Sequence, residues 1–195
     1  MIAAIVLAAG ASRRFGSQKL LADLHGKPVV RWSVEKVLEA RPDEVIVVVG
    51  HEGDAVRAAL DGLEVRAVVN DLWRSGISSS IRAGIAALGA DVESVLIALG
   101  DQPGLRTGVI SALLDVRCER GKAIVVPSYR GERGHPVIFR SELFAELLVL
   151  RGDRGARDVI ARDPSRVTRV EFDLPVPMDV DTVAELRSAA DGDVR

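Results

Sequence analysis

Short, unbroken apolar runs alternate along the chain with longer segments whose apolar residues recur at helical spacing. Ile2-Ala3-Ala4-Ile5-Val6, Val45-Ile46-Val47-Val48-Val49 and Val95-Leu96-Ile97-Ala98-Leu99 carry no polar residue and are rich in β-branched side chains. Runs of this kind suit strands covered on both faces, as in a parallel sheet. Residues 64–69 and 123–126 predict further strands. Between them, Pro28 can open a helix that places Val30, Val34, Val37 and Leu38 on one face. Helices are also expected over 54–60, over 80–88, and around Ile110, Leu113, Leu114 and Arg117. Later helices are predicted at 141–148, at 154–161 before Pro164, and at 181–190, where Asp181-Thr182 supplies a cap. Strand–helix alternation implies an α/β fold built on a doubly wound, mostly parallel, Rossmann-like sheet. The expected organisation is one domain over residues 1–190, with 191–195 a frayed, flexible tail.

In open α/β sheets, ligands gather beyond the carboxyl ends of the strands. Polar residues follow the predicted strands at Gly10 onward, at Asn70-Asp71 and at Gly100-Asp101-Gln102-Pro103. The first of these ends is the richest. Leu7, Ala8, Ala9, Gly10 and Ala11 let backbone come close to a ligand, and Arg13, Arg14, Gly16 and Lys19 follow at once. Bare N–H groups with adjacent cations are a sound cradle for a polyphosphate. The loop is not a Walker A sequence, because Gly10 and Gly16 are one residue too far apart and Lys19 is not next to Gly16. Nor is it a dinucleotide fingerprint, because Ser12 stands where the second glycine belongs.

Composition narrows the ligand. The 195 residues are 48% apolar and 28% charged, which indicates a globular chain with a full core. A net charge of −2 argues against nucleic acid as a partner, so the cations of the first loop are local and suit a small anion. No apolar run reaches the length of a membrane span. The start, Met1-Ile2-Ala3, lacks the basic residues of a secretory signal, and a cytoplasmic location is expected. Cys118 is the only cysteine, which excludes an internal disulfide, and its apolar helical surroundings suit packing.

Further candidates lie at the other strand ends. Asp101 is well placed to hold Mg²⁺ against a triphosphate, though a turn or helix-capping role suits it equally when taken alone. Asn70 can both donate and accept, as base or ribose recognition requires. Gly76 permits close approach, Ser78, Ser79 and Ser80 can start a helix, and Trp73 suits either a pocket wall or packing. His135, in Gly134-His135-Pro136-Val137, can donate to a substrate, while His25 and His51 read as surface residues. Asp179 and Asp181 are separated by one residue, and Asp181 is the favoured second metal ligand, with Asp179 the alternative.

Together these motifs resemble a known family. Leu7-Ala8-Ala9-Gly10 with Arg14-Phe15-Gly16 and Lys19 is similar to the opening signature of the nucleotidyltransferase superfamily. The later motifs, in order, resemble its MobA/MocA-like branch and within it the molybdenum cofactor cytidylyltransferases. They are Asn70-x-x-Trp73-x-x-Gly76-Ile77-Ser78-Ser79-Ser80, Asp101-Gln102-Pro103, Gly134-His135-Pro136-Val137, Gly152-Asp153-Arg154-Gly155-Ala156-Arg157 and Asp179-Val180-Asp181-Thr182. The resemblance spans Ile2 to about Leu186 and implies the nucleotidyltransferase fold. It also implies Mg²⁺-dependent transfer of CMP from CTP to the phosphate of molybdopterin, with release of pyrophosphate.

By position, the resemblance makes Arg14, Lys19 and Asp101 catalytic. Leu7, Ala8, Ala9, Gly10, Arg13, Asn70, Ser78 and Ser79 become nucleotide-binding, and Gly134, His135, Asp153 and Arg154 meet the acceptor. Asp101 and Asp181 hold the metal. Phe15 stands where methionine is common, 104–107 read Gly-Leu-Arg-Thr in place of Leu-Val-Thr, and the last helix opens on Thr182-Val183-Ala184-Glu185. The alternatives are GTP as donor or another phosphorylated acceptor, NAD(P)H-dependent reduction of a nitrogen heterocycle, and non-catalytic delivery of the molybdenum cofactor to a molybdenum hydroxylase.

Overall fold

A computed structural model describes residues 1–12, 14–116 and 121–191. Arg13, Arg117, Cys118 and the expected tail beyond 191 lie outside the described residues. In chain order the strands and α-helices are β1 (Ile2–Ala8), β2 (Asp23–Leu24), β3 (Lys27–Pro28), α1 (Val29–Glu39), β4 (Glu44–Val49), α2 (Gly53–Ala59), β5 (Arg66–Val69), α3 (Ile77–Ala86), β6 (Ser94–Leu99), α4 (Thr107–Leu114), β7 (Ile124–Tyr129), β8 (Glu132–Arg133), β9 (Val137–Arg140), α5 (Phe144–Leu148), α6 (Arg157–Arg162), β10 (Val167–Phe172) and α7 (Val183–Asp191).

The main sheet has the order β10-β7-β9-β6-β1-β4-β5, with β8 paired to β7. Pairs β6–β1, β1–β4, β4–β5 and β7–β10 are parallel, as the continuous apolar runs predict. The alternation of side chains along these strands builds two cores. Ala3, Ile5, Ile46, Val48, Val95 and Ile97 face the layer formed by α3, α5 and α6. Ala4, Val6, Val45, Val47, Leu96 and Ala98 face α1, α2 and α4. Each fully buried Val, Leu or Ile contributes about 1.5–3 kcal/mol relative to exposure, and β1, with Ala3 to Val6 at 0% exposure, is one of the central strands that feed both cores.

Two strands run against the others: the short β8, paired with β7, and β9. Strand β9 lies between β6 and β7 and runs antiparallel to both. Its sequence, Val-Ile-Phe-Arg, follows directly on the Gly134-His135-Pro136 loop and is too short for its direction to be read. Strand β10 is a half-buried edge strand whose alternation, Val167-Thr168-Arg169-Val170-Glu171-Phe172, carries a weak apolar signal.

Helix boundaries shift where the backbone has special demands. Helix α3 opens at Ile77, three residues before the expected Ser80, because Gly76 takes φ 96°, ψ 170° and starts the turn itself. Helix α6 opens at Arg157 rather than Arg154, since Gly152 and Gly155 hold the preceding segment in left-handed conformations. Among the described residues, no helix is long and apolar enough to cross a membrane.

A third, smaller core fixes the C-terminal segment. Val180 and Ala189 pack on Leu24 and Val29. Val180 is fully buried, and its N–H donates to the Asp101 carbonyl at 2.9 Å. The chain therefore returns across the exit of β6 just as the strand ends.

Candidate active site

Three carboxyl ends of the sheet and the returning C-terminal segment converge on one cleft of about 430 Å³. The loop after β1 forms its floor. Ser12 adopts φ 52° and Gly16 φ 85°, which turns the chain sharply. The buried amide of Gln18 pins this turn: it donates to the carbonyls of Gly10 and His51 at 3.3 and 2.9 Å and accepts from Ser12 Oγ at 2.7 Å. So held, the N–H groups of Gly10, Ala11 and Ser12 donate to no acceptor among the described residues. A side-chain carbon added to Gly10 would meet nothing within 4 Å, so this backbone faces open space. That is the geometry of an anion cradle.

At one end of the cradle stands an ionic cluster. Lys19 Nζ lies 2.5 Å from Asp101 Oδ2 and 2.6 Å from Asp181 Oδ1, and Arg14 Nη2 lies 2.6 Å from Asp181 Oδ2. The Lys19 side chain is only 12% exposed. Burial works against its charge, but the charge and hydrogen bond of Asp101, joined by those of Asp181, outweigh burial and raise the ammonium above its ordinary value. Burial likewise acts to raise Asp181, and the hydrogen bond and charge of Lys19, then Arg14, reverse this and hold its carboxyl below the usual range. Asp179 faces the other way. Burial, then the charge of Asp101, pushes it up, although Gln102 Nε2 donates to it at 2.7 Å.

The donor set suits a hard divalent cation. Two carboxylates reach one cation position, and Mg²⁺ is usually held by one or two carboxylates together with substrate phosphates and water. Among the described residues no group of three or more His, Cys, Asp or Glu side chains is arranged to hold a metal by itself. Any metal here would share its coordination with a bound ligand.

A second chamber of about 400 Å³ adjoins the first, and Leu7, Ile77, Leu99 and Asp153 border both. Arg133, His135, Arg154 and Arg157 line it on the polar side, and Ile97, Phe139 and Ile160 on the apolar side. Tyr129 Oη donates to the His135 carbonyl at 2.7 Å and fixes the backbone there. Burial lowers the His135 imidazole below its ordinary 6.5, and Arg157 and Arg133 add to the effect against a bond to the Ile97 backbone and the charge of Asp101. His135 is therefore neutral at pH 7.

The stability of the fold is linked to the protonation of His135. As pH falls through 6.5 the unfolded chain takes up this proton before the folded one does. The contribution is complete above 6.5 and is lost as pH falls through the lower midpoint of the folded state. An NMR titration of the imidazole is expected to give a midpoint below 6.5. A midpoint at or above that value contradicts the burial argument.

The sequence candidates separate into three groups. Leu7, Ala8, Ala9, Gly10, Arg14, Lys19, Asp101, Asp153 and Asp181 line the first cleft. Gly134, His135 and Arg154, with Asp153 again, line the second. Asn70, Ser78 and Ser79 line neither. Asn70 is 4% exposed and its groups are occupied: Nδ2 donates to Ser79 Oγ and Ser80 Oγ at 2.9 and 3.0 Å, and Oδ1 accepts from the Leu72 N–H. Ser79 Oγ donates to the Gly76 carbonyl, and Ser78 is fully buried.

Ser80 is the serine that faces the first cleft. Because its oxygen accepts from Asn70, its own hydrogen is left for another partner. Asn70 thus acts behind the wall. His51, expected at the surface, is half-buried and packs edge-on against Trp73 with ring centroids 5.1 Å apart. Gln18, Arg74 and Arg133 are not among the sequence candidates, whereas Arg157 belongs to the 152–157 motif that the resemblance sets against the acceptor. Loop closure, which spacing does not show, brings Arg74 to the first cleft and Arg133 and Arg157 to the second, while Gln18 lines neither and braces the first loop.

A cation-flanked N–H cradle and a carboxylate pair at the strand ends of an open α/β sheet define a nucleotide-handling site. The chain belongs to the MobA-like NTP transferase domain family, which matches residues 4–167. It is 33% identical over 195 residues to a nicotine blue oxidoreductase of Paenarthrobacter nicotinovorans, covering 95% of this chain and 94% of that protein. The crystal structure of Rv0371c from Mycobacterium tuberculosis is similar at TM-score 0.88 and 30% identity, with 98% of each chain covered. A manganese complex of Rv0371c matches at TM-score 0.85 and 29% identity, again over 98% of each chain. A nucleotidyl transferase from Methanothermobacter matches at TM-score 0.83 and 28% identity, over 98% of this chain and 96% of that one. The mostly parallel α/β architecture is thus the nucleotidyltransferase fold, and a divalent metal occurs within this group of structures.

Proposed function

We propose that this chain transfers CMP from CTP to the phosphate of a molybdopterin-type acceptor, with Mg²⁺, and releases pyrophosphate. The observation that carries the reading is the convergence of Arg14, Lys19, Asp101 and Asp181 at one end of the N–H cradle, beside a second, arginine-lined chamber. The first cleft takes the nucleotide and the second the acceptor, with the transfer at their shared border.

In this mechanism an oxygen of the acceptor phosphate forms a bond to the α-phosphorus while the bond from that phosphorus to the bridging oxygen breaks. The electron pair leaves with pyrophosphate. The attacking phosphate is already an anion, so no side chain has to act as covalent nucleophile. The protein positions the partners and neutralises charge. Gly10, Ala11 and Ser12 offer N–H donors to the triphosphate, Arg14 and Lys19 offset its charge, and Ser80 donates its remaining hydrogen within the cleft. Asp101 and Asp181 would hold Mg²⁺, which when bound supplies charge stabilisation on the phosphate oxygens. His135, Gly134, Asp153 and Arg154 bound the acceptor. The product would pass to a molybdenum hydroxylase in the cytoplasm.

The test is pyrophosphate release from CTP, GTP, UTP and ATP in turn, with Mg²⁺ and molybdopterin. Release from CTP only in the presence of acceptor is the expected result. Absence of release with every nucleotide rejects the reading. The similarity over nearly the whole chain to a protein named an oxidoreductase favours one second reading, NAD(P)H-dependent reduction of a nitrogen heterocycle in the arginine-lined chamber. Loss of NAD(P)H absorbance on adding a heterocyclic quinone-type acceptor, without pyrophosphate release, would establish it instead.

A further inference from the structure

Away from Lys19, the cleft wall carries a stacked pair. The guanidinium of Arg74 sits over the Trp73 indole, 4.1 Å from the ring centroid, and both residues line the cleft. The indole also packs edge-on against the His51 ring, with centroids 5.1 Å apart. A side-chain carbon on Gly50 would lie 2.8 Å from Trp73 Cβ and 2.9 Å from Ala9 Cβ, so the base of the Trp73 side chain is packed closely against the Gly50 backbone. A guanidinium that stacks through its face keeps its N–H edge for a planar partner. No hydrogen bond or ion pair engages that edge among the described residues.

The position of the pair limits what it can meet. Asp101 follows β6 and Trp73 follows β5, and the strand order between them is β6-β1-β4-β5. At about 4.8 Å per step, three steps span roughly 14 Å. A nucleoside triphosphate with its phosphates at Lys19 and Asp101, crossing the loop after β1, brings its base to this end of the cleft.

We propose that Arg74, held flat on Trp73, is a specificity-determining residue that reads the base of the nucleotide; this rests on the first cleft being a nucleoside triphosphate site. Two parallel N–H donors match two adjacent acceptors. Cytosine offers O2 and N3, and guanine O6 and N7. Uracil and adenine place a donor beside each acceptor and break the match. The pair selects CTP or GTP against UTP and ATP. One such bidentate contact is worth about tenfold to a hundredfold in discrimination.

The test is calorimetric binding of CTP, UTP and inorganic triphosphate, each with Mg²⁺ and without acceptor, to the intact chain and to Arg74→Met and Arg74→Lys. The intact chain is expected to prefer CTP. Arg74→Met is expected to weaken CTP about tenfold to a hundredfold while leaving UTP and inorganic triphosphate unchanged. Arg74→Lys restores little, because an ammonium cannot present parallel donors. Equal loss for all three ligands makes Arg74 a phosphate contact and overturns the proposal, as does unchanged CTP affinity in Arg74→Met. If the intact chain binds none of the ligands, the reading of the cleft falls together with this one. Matched thermal midpoints of the variants separate recognition from damage to the fold.

Discussion

Replacing Lys19 with alanine will lower nucleotidyl transfer by on the order of a hundredfold or more while leaving the fold intact. Among the described residues Lys19 is the one side chain bonded to both Asp101 and Asp181, so its loss removes a cation from the end of the cradle and leaves two carboxylates facing each other. Arg14 cannot replace it. It is 75% exposed and, among the described carboxylates, reaches only Asp181. Asp101→Asn is expected to act similarly by halving the charge of the carboxylate pair. Pyrophosphate release measures the effect, and circular dichroism with a thermal melt checks the fold. Release at the wild-type rate by both variants would remove the ionic cluster from the mechanism.

Gly76→Ala is expected to have the second largest effect, on stability as well as on catalysis. Gly76 adopts φ 96°, ψ 170°, a region essentially reserved for glycine, and the strain in a residue with a side chain is about 1–3 kcal/mol. The added carbon would also lie 2.6 Å from the Gly152 carbonyl carbon and oxygen and against the Asp153 carboxylate. The loop over 152–155 docks at this point, through Ser78 N–H to the Gly152 carbonyl at 3.1 Å and Ile77 N–H to Asp153 Oδ1 at 3.3 Å. Moving it opens the border that both clefts share. The thermal midpoint is expected to fall by about 2–4 °C per kcal/mol lost, and KM to rise for both substrates. A variant with unchanged midpoint and KM would show that the loop is not held by this contact.

Much of this arrangement is legible in the sequence because it is written in local patterns. The unbroken, β-branched runs at 2–6, 45–49 and 95–99 suit strands covered on both faces, and they became β1, β4 and β6. Polar residues beyond those strands mark the cleft for the same reason: backbone that leaves a sheet must find partners or face solvent. Strand β9 was hidden because direction is a property of pairing, and its four residues fit either orientation.

Asn70 and Ser78 show the opposite limit. Their residue types suit nucleotide recognition, but the turn after β5 draws Asn70 inward to bridge Ser79 and Ser80, and Ser78 falls on the core face of α3. Which of three adjacent serines faces a ligand depends on where the helix begins, and that was set by the backbone of Gly76. The pairing of Lys19 with Asp181, 162 positions apart, could not be read from spacing at all.

That long separation has a consequence for synthesis. The carboxylates bonded to Lys19 are supplied by residues 101 and 181, and Val180 must be seated before the second is in place. A nascent chain on the ribosome can complete most of its sheet and still lack half of its acidic pair. Chemistry that depends on that pair begins only once the chain has emerged beyond residue 181.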